Sequence, residues 1–173
     1  MPAVQRRDVN AAGPKVVSQT IAVQHVTIAS ARSFDEVRKR LEQSVPILDT
    51  RIMDWLSSGD AMAVEAYDQS GPKLSIFLAR DHGALLQIVG KPRKAIQYEI
   101  GNPLTASKMT RHRLPAGLYA PLRVILYETE TGGAAFEYDL PSSLFGQFGD
   151  EQVTTVARGL DADLAAALRN AAG

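Results

Sequence analysis

Two runs in the C-terminal half of the chain, Leu122 to Glu128 and Ala134 to Asp139, are joined across Glu130, Thr131, Gly132 and Gly133. Val124, Ile125, Tyr127, Phe136 and Tyr138 suit a pleated, half-buried surface, and the two glycines allow a tight reversal, so the pair reads as a β-hairpin. A hairpin puts an antiparallel sheet into the fold. Shortly after it comes a segment of different period. From about Asp150 to Asn170, Val153, Val156, Leu160, Leu164 and Leu168 fall on one helical stripe. Asp150 and Glu151 at its start and Arg169 at its end both suit the helix dipole.

The rest of the chain supplies elements of both kinds. From Val16 to Ile28 the β-branched density rises, and Val26 and Ile28 alternate with His25 and Thr27, which predicts a strand. Ser33 stands three residues before Glu36, the spacing of a capping box in which each side chain satisfies the other's backbone N–H. Phe34, Val37, Leu41 and Val45 then share one face, and Pro46 closes the helix.

Asp49 to Tyr67 reads as two helical pieces broken at Ser57, Ser58 and Gly59, with Asp60 as N-cap of the second and Gly71 and Pro72 after it. Leu74, Ile76 and Leu78 alternate with Ser75, Phe77 and Ala79, a buried strand. Gly83 to Val89 has the length of a turn or two of helix, and Ala95 to Ile100 reads as a strand. Asn102 followed by Pro103 supplies an N-cap and an N1 proline for a helix through about Arg113. Pro141 to Phe148 is an apolar, glycine-broken connector that packs into the core or meets a second subunit. A regular strand–helix–strand alternation is missing and the hairpin strands are adjacent, so the expected class is α+β. The sheet is expected to be mixed but mostly antiparallel, with helices on one face of a two-layer sandwich.

At 173 residues the chain suits one domain, expected over residues 16–173 behind a loose polar tail at 1–15. Lys plus Arg number 19 and Asp plus Glu 19, and the isoelectric point near 6.8 lacks the positive surplus of a dedicated nucleic-acid binder. The absence of cysteine removes disulfides, thiolate metal sites and cysteine nucleophiles. With no signal core and no run of roughly 18 apolar residues, a soluble, cytoplasmic protein without membrane partners is expected.

Chemistry-bearing residues are sparse. His25, His82 and His112 stand at no metal-ligand spacing, so no metal site is predicted. Gly83 to Lys91 fails as a phosphate loop: its glycines are too far apart, Pro92 replaces the hydroxyl residue, and its interior is apolar. Glu137 and Asp139 share one strand face, where a carboxylate pair does acid–base work or simply forms the wet side.

The most suggestive feature is Gly101–Asn102–Pro103–Leu104–Thr105. The start of a helix has free N–H groups and partial positive charge, and Lys108 and Arg111 follow on the same helix. Lys91, Arg93, Lys94, Arg113 and Arg123 are near in sequence. His82, at the end of a strand, is where a loop presents side chains to a ligand. Gly101, Asn102, Thr105, Lys108, Arg111 and His82 are therefore the candidate ligand-binding residues.

The run YEIGNPLTASKM, Tyr98 to Met109, resembles the domain-of-unknown-function family numbered 302. LPAGLYAPLRVILYE from Leu114 to Glu128, the Gly-Gly turn and EYDLPSSLFG from Glu137 to Gly146 follow in that family's order. The resemblance covers about the last hundred residues, with additional material between Asp49 and Ser70. It implies a small α+β sandwich that tends to form homodimers, with no established activity or cofactor, and it places any shared site at Gly101, Asn102 and Pro103. Three functions then stand: a homodimeric module binding a small anionic or amphipathic ligand near Asn102; an acid–base enzyme using His82 or His112 with Glu137 or Asp139; or a structural protein whose surface is its function.

Overall fold

The computed structural model describes residues 13–173, so most of the expected tail at 1–15 lies outside the described residues. In chain order the elements are β1 (His25–Ser30), α1 (Phe34–Ser44), α2 (Arg51–Ser58), α3 (Ala61–Ser70), β2 (Ser75–Asp81) and α4 (His82–Leu85). There follow β3 (Ala95–Gly101), α5 (Pro103–Thr110), β4 (Leu122–Glu128), β5 (Ala134–Asp139), α6 (Pro141–Phe145) and α7 (Glu151–Ala172). Single 3₁₀ turns lie at Leu86–Val89, Leu114–Tyr119 and Gly146–Phe148.

The strands form one sheet in the order β1-β5-β4-β3-β2. Every ladder is antiparallel. Among the described residues the only parallel contact is an isolated bridge between Ile47 and Ile76, where Leu48 N–H donates to the Ile76 carbonyl. The expected mixed sheet is thus antiparallel throughout its named strands. Its first and last strands in sequence, β1 and β5, sit side by side with His25 opposite Asp139.

Alternation decides which side is covered. Ile96, Tyr98 and Ile100 of β3, Leu122, Val124 and Leu126 of β4, and Ala134, Phe136 and Tyr138 of β5 all point one way into the core. Against them lie Val37 and Leu41 of α1 and Val153, Leu160, Leu164 and Leu168 of α7. The residues between them on the strands, including Gln97, Glu99, Arg123, Glu137 and Asp139, form an open outer face. Two layers, one sheet face covered: this is an α+β sandwich with helices on one side.

Local chemistry holds the layers together. Arg40 of α1 donates through Nε to the Ala171 carbonyl at 3.1 Å and through Nη2 to the Asn170 carbonyl at 2.7 Å, satisfying orphan acceptors at the end of α7. Tyr98, fully buried, donates its hydroxyl to Glu42 at 2.9 Å, and burial together with that carboxylate pushes its pKa strongly up.

Four expectations need correction. The first strand begins at His25 rather than Val16, because Gly13 to Gln24 pairs with no strand. The capping box at α1 is half made. Ser33 Oγ accepts from Glu36 N–H at 3.4 Å, but the Glu36 carboxylate turns to Arg32. The alternation of Leu74, Ile76 and Leu78 is interrupted by a bulge between Ile76 and Leu78, which sends Leu78 to the exposed side of an edge strand. Finally, α5 ends at Thr110 rather than running to Arg113.

Candidate functional site

An apolar cavity of about 260 Å³ opens at the end of the sheet where β3 runs out and β4 begins. Its wall is made of Gly101, Pro103, Thr105 and Ala106 on one side and Ala120 and Pro121 on the other. Phe145, Met109 and Leu160, all buried, contribute from the core side. Met53 and Leu56 of α2 complete the lining.

Gly101 contributes no side chain to this lining. A Cβ on Gly101 would stand 3.6 Å from Phe77 Cε2 and 3.7 Å from Pro121, ordinary contact distances, so a side chain fits there without displacing either. Gly101 does not have a left-handed φ, so its glycine is not required by the backbone. Phe77 reaches the site from the bulge in β2.

Asn102 turns the chain from β3 into α5. Its Oδ1 accepts from Leu104 N–H at 2.8 Å and Thr105 N–H at 3.3 Å, and its Nδ2 donates to the Pro72 carbonyl at 3.1 Å. The first amides of α5 are therefore already satisfied, and Pro103 at N1 has no N–H to offer. A side chain with both its ends engaged is a structural corner, and it leaves the cavity floor apolar.

Of the candidate residues, Gly101, Asn102 and Thr105 line this cavity. Lys108 and Arg111 belong to the same helix but do not line it. Lys108 Nζ pairs with Asp68 at 3.3 Å and Arg111 Nε donates to its own helix at the Ser107 carbonyl. His82 lies elsewhere: Ser75 is opposite Gly101 whereas Asp81 is opposite Ile96, so the two ends of the β2–β3 pair are roughly 20 Å apart. The basic residues near in sequence also disperse, with Lys94 on Asp35, Arg93 on the Glu128 carbonyl and Arg113 on Asp150.

On the outer sheet face a second constellation assembles. His25 Nδ1 lies 3.0 Å from Asp139 Oδ1, and Nε2 lies 3.3 Å from Glu137 Oε2. Tyr127 donates its hydroxyl to Glu137 Oε1 at 2.6 Å. Hydrogen bonds to Asp139 first and Glu137 second raise the His25 pKa, while Tyr127 first and His25 second lower that of Glu137. Glu137 and Asp139 thus meet a histidine, but it is His25 and not His82 or His112. The i,i+2 carboxylates were visible in sequence. Their partner was not, because it depends on β1 pairing with β5 across more than a hundred residues. Among the described residues no cluster suits a metal ion, and no helix is long and apolar enough to cross a membrane.

An open-faced antiparallel sheet, helices on its other side and an apolar cavity at the strand–Gly-Asn-Pro–helix corner define a small α+β sandwich with an apolar pocket at one end of its sheet. Residues 62–171 match the family described as "Domain of unknown function DUF302", and the chain belongs to that family. It is similar in fold to the crystal structure of an uncharacterized conserved DUF302 protein from Bacillus stearothermophilus, with a TM-score of 0.62 and 20% identity. That likeness covers 84% of this chain and 96% of the other. No curated protein matches the chain.

Proposed function

We propose that this chain is a binding module for one small amphipathic ligand, held in the cavity beside Gly101, Asn102 and Pro103. The observation that supports it is the cavity itself, apolar and walled by residues from β3, α5 and the segment before β4. An apolar recess rewards an apolar guest, because both surfaces leave water. Scaled from a cavity of about 150 Å³ that holds benzene, 260 Å³ suits a ligand of roughly ten non-hydrogen atoms. A compact anion at the start of α5 is less favoured, because Asn102 already occupies those amides.

The acid–base alternative is supported less well. Both ring nitrogens of His25 are committed to carboxylates, and His82 and His112 do not join Glu137 or Asp139. Homodimerisation stays within the proposal, supported by the exposed Leu85, Ile88 and Val89 next to the edge strand β2. Light scattering tests it, and a monomer at micromolar concentration removes it.

Thermal unfolding in the presence of straight-chain alcohols of roughly four to twelve carbons tests the binding reading. Saturation at about a hundred times Kd adds about 2.7 kcal/mol, or about 5–10 °C for a chain of this size. The shift should peak near eight carbons and fall for longer chains. No shift at any length, or a monotonic climb with chain length, rejects the proposal.

A further inference from the structure

We infer that the ligand of this cavity carries an anionic head group, and that Arg123 receives it; the inference rests on the cavity-binding reading. The apolar cavity shares Ala120 and Pro121 with a neighbouring open concavity of about 430 Å³. That concavity is lined by Glu99, Arg123, Leu118 and Tyr119 besides the two shared residues. The two spaces therefore meet along this short segment.

Strand geometry brings them together. Leu122 points into the core and lines the apolar cavity, so Arg123, the next residue, points to the outer face. Gly101 and Glu99 stand two apart on β3, one lining the apolar cavity and the other the open concavity. A chain-like guest leaving the cavity past Gly101 and Pro121 therefore emerges beside Arg123. Leu118 and Tyr119 supply an apolar flank on the way out.

Charge pairing identifies the head group. Around Arg123 the acids are already engaged: Glu99 with Arg80 at 2.6 Å, Asp139 with His25 at 3.0 Å, and Glu137 with His25 and Tyr127. The Arg123 guanidinium makes no hydrogen bond or ion pair among the described residues, although it lines three separate concavities. Recognition on the outer face therefore depends on Arg123, whose guanidinium has no partner among the described residues. A planar fork of donors next to an apolar pocket suits a carboxylate on an alkyl or aryl chain. This places the cationic contact on Arg123, reached from β4, in place of Lys108 and Arg111 on α5.

The test is a matched set of eight-carbon probes, octanoate, 1-octanol and octylamine, titrated calorimetrically into the wild-type chain and into Arg123→Gln. Arg123 is exposed, and circular dichroism checks that the variant folds. In the wild type octanoate should bind about tenfold more tightly than octanol, the low end for a charge-assisted hydrogen bond at an exposed site. In Arg123→Gln that preference should vanish while the octanol affinity stays put. Octanol binding as tightly as octanoate in the wild type, or a carboxylate preference that survives Arg123→Gln, overturns the head-group assignment and leaves the cavity reading standing. Failure of all three probes to bind the wild type overturns both.

Discussion

Replacing Gly101 by leucine puts a side chain into the space that the cavity reading assigns to ligand. The backbone there tolerates it, since Gly101 lies at the end of a strand with no left-handed φ. Its Cβ would rest at 3.6–3.7 Å from Phe77 and Pro121 without forcing either away. Beyond Cβ, leucine adds three carbons to a volume of about 260 Å³. At about 0.8 kcal/mol per buried methylene, displacing three ligand carbons costs about 2.4 kcal/mol, or roughly fifty-fold in Kd. The ligand-free protein should gain stability, because glycine's extra chain entropy is removed and apolar surface is buried. About 1 kcal/mol is expected, a Tm rise of about 2–4 °C. Gly101→Ala adds only the Cβ and should cost no more than about fourfold in affinity. Calorimetry with 1-octanol gives the first number and thermal unfolding the second. Two results refute the reasoning: a leucine variant that melts several degrees lower, which would mean that the space is not there, or one that binds octanol unchanged.

The cap at α5 separates into two parts. Asn102→Ala loses both the cap and the bond to Pro72, and should cost about 2 kcal/mol in urea unfolding. Asn102→Asp keeps the cap acceptor but sets a carboxylate oxygen against the Pro72 carbonyl; equal stability to wild type would show that the Pro72 contact contributes nothing. His25 should titrate above its ordinary value of about 6.5 by NMR, and Asp139→Asn should bring it down further than Glu137→Gln. The sign follows from linkage. The raised His25 pKa means that its ties to β5 contribute fully below pH 6.5 and are lost as pH rises through the folded value. An unshifted His25 midpoint would contradict the bridging geometry.

Local pattern carried much of the architecture. The hairpin Leu122–Glu128 and Ala134–Asp139 has the expected bounds, because its turn chemistry and strand composition agree. The stripe of Val153, Leu160, Leu164 and Leu168 is buried as its spacing predicts. Asp60 and Asn102 both act as N-caps, since a cap is a contact within three residues. What depended on distant pairing was hidden. The bulge that exposes Leu78 leaves no mark in the alternation of β2, and only an edge position shows why it is tolerated.

The candidate site divides in the same way. The Gly-Asn-Pro corner was legible as a helix start, and Gly101, Asn102 and Thr105 do line a pocket. The surroundings of that corner were not legible from local charge. Lys108 and Arg111 have nearby acceptors that the sequence does not display, whereas the apolar lining gathers residues from seven places between Met53 and Leu160. Arg123 read as one cation among many until the pairing of Glu99 with Arg80 left it alone.

Heteronuclear NMR with ¹⁵N-labelled protein can locate the guest residue by residue, using uncharged 1-octanol so that only the cavity is probed. Saturable shifts should concentrate on the amides of Gly101, Thr105, Ala106 and Met109, and leave Thr27 and Ala135 on the far side of the sheet unmoved. No shifts at millimolar octanol, or a largest response at Leu85 to Val89, would contradict a ligand site at the Gly-Asn-Pro corner.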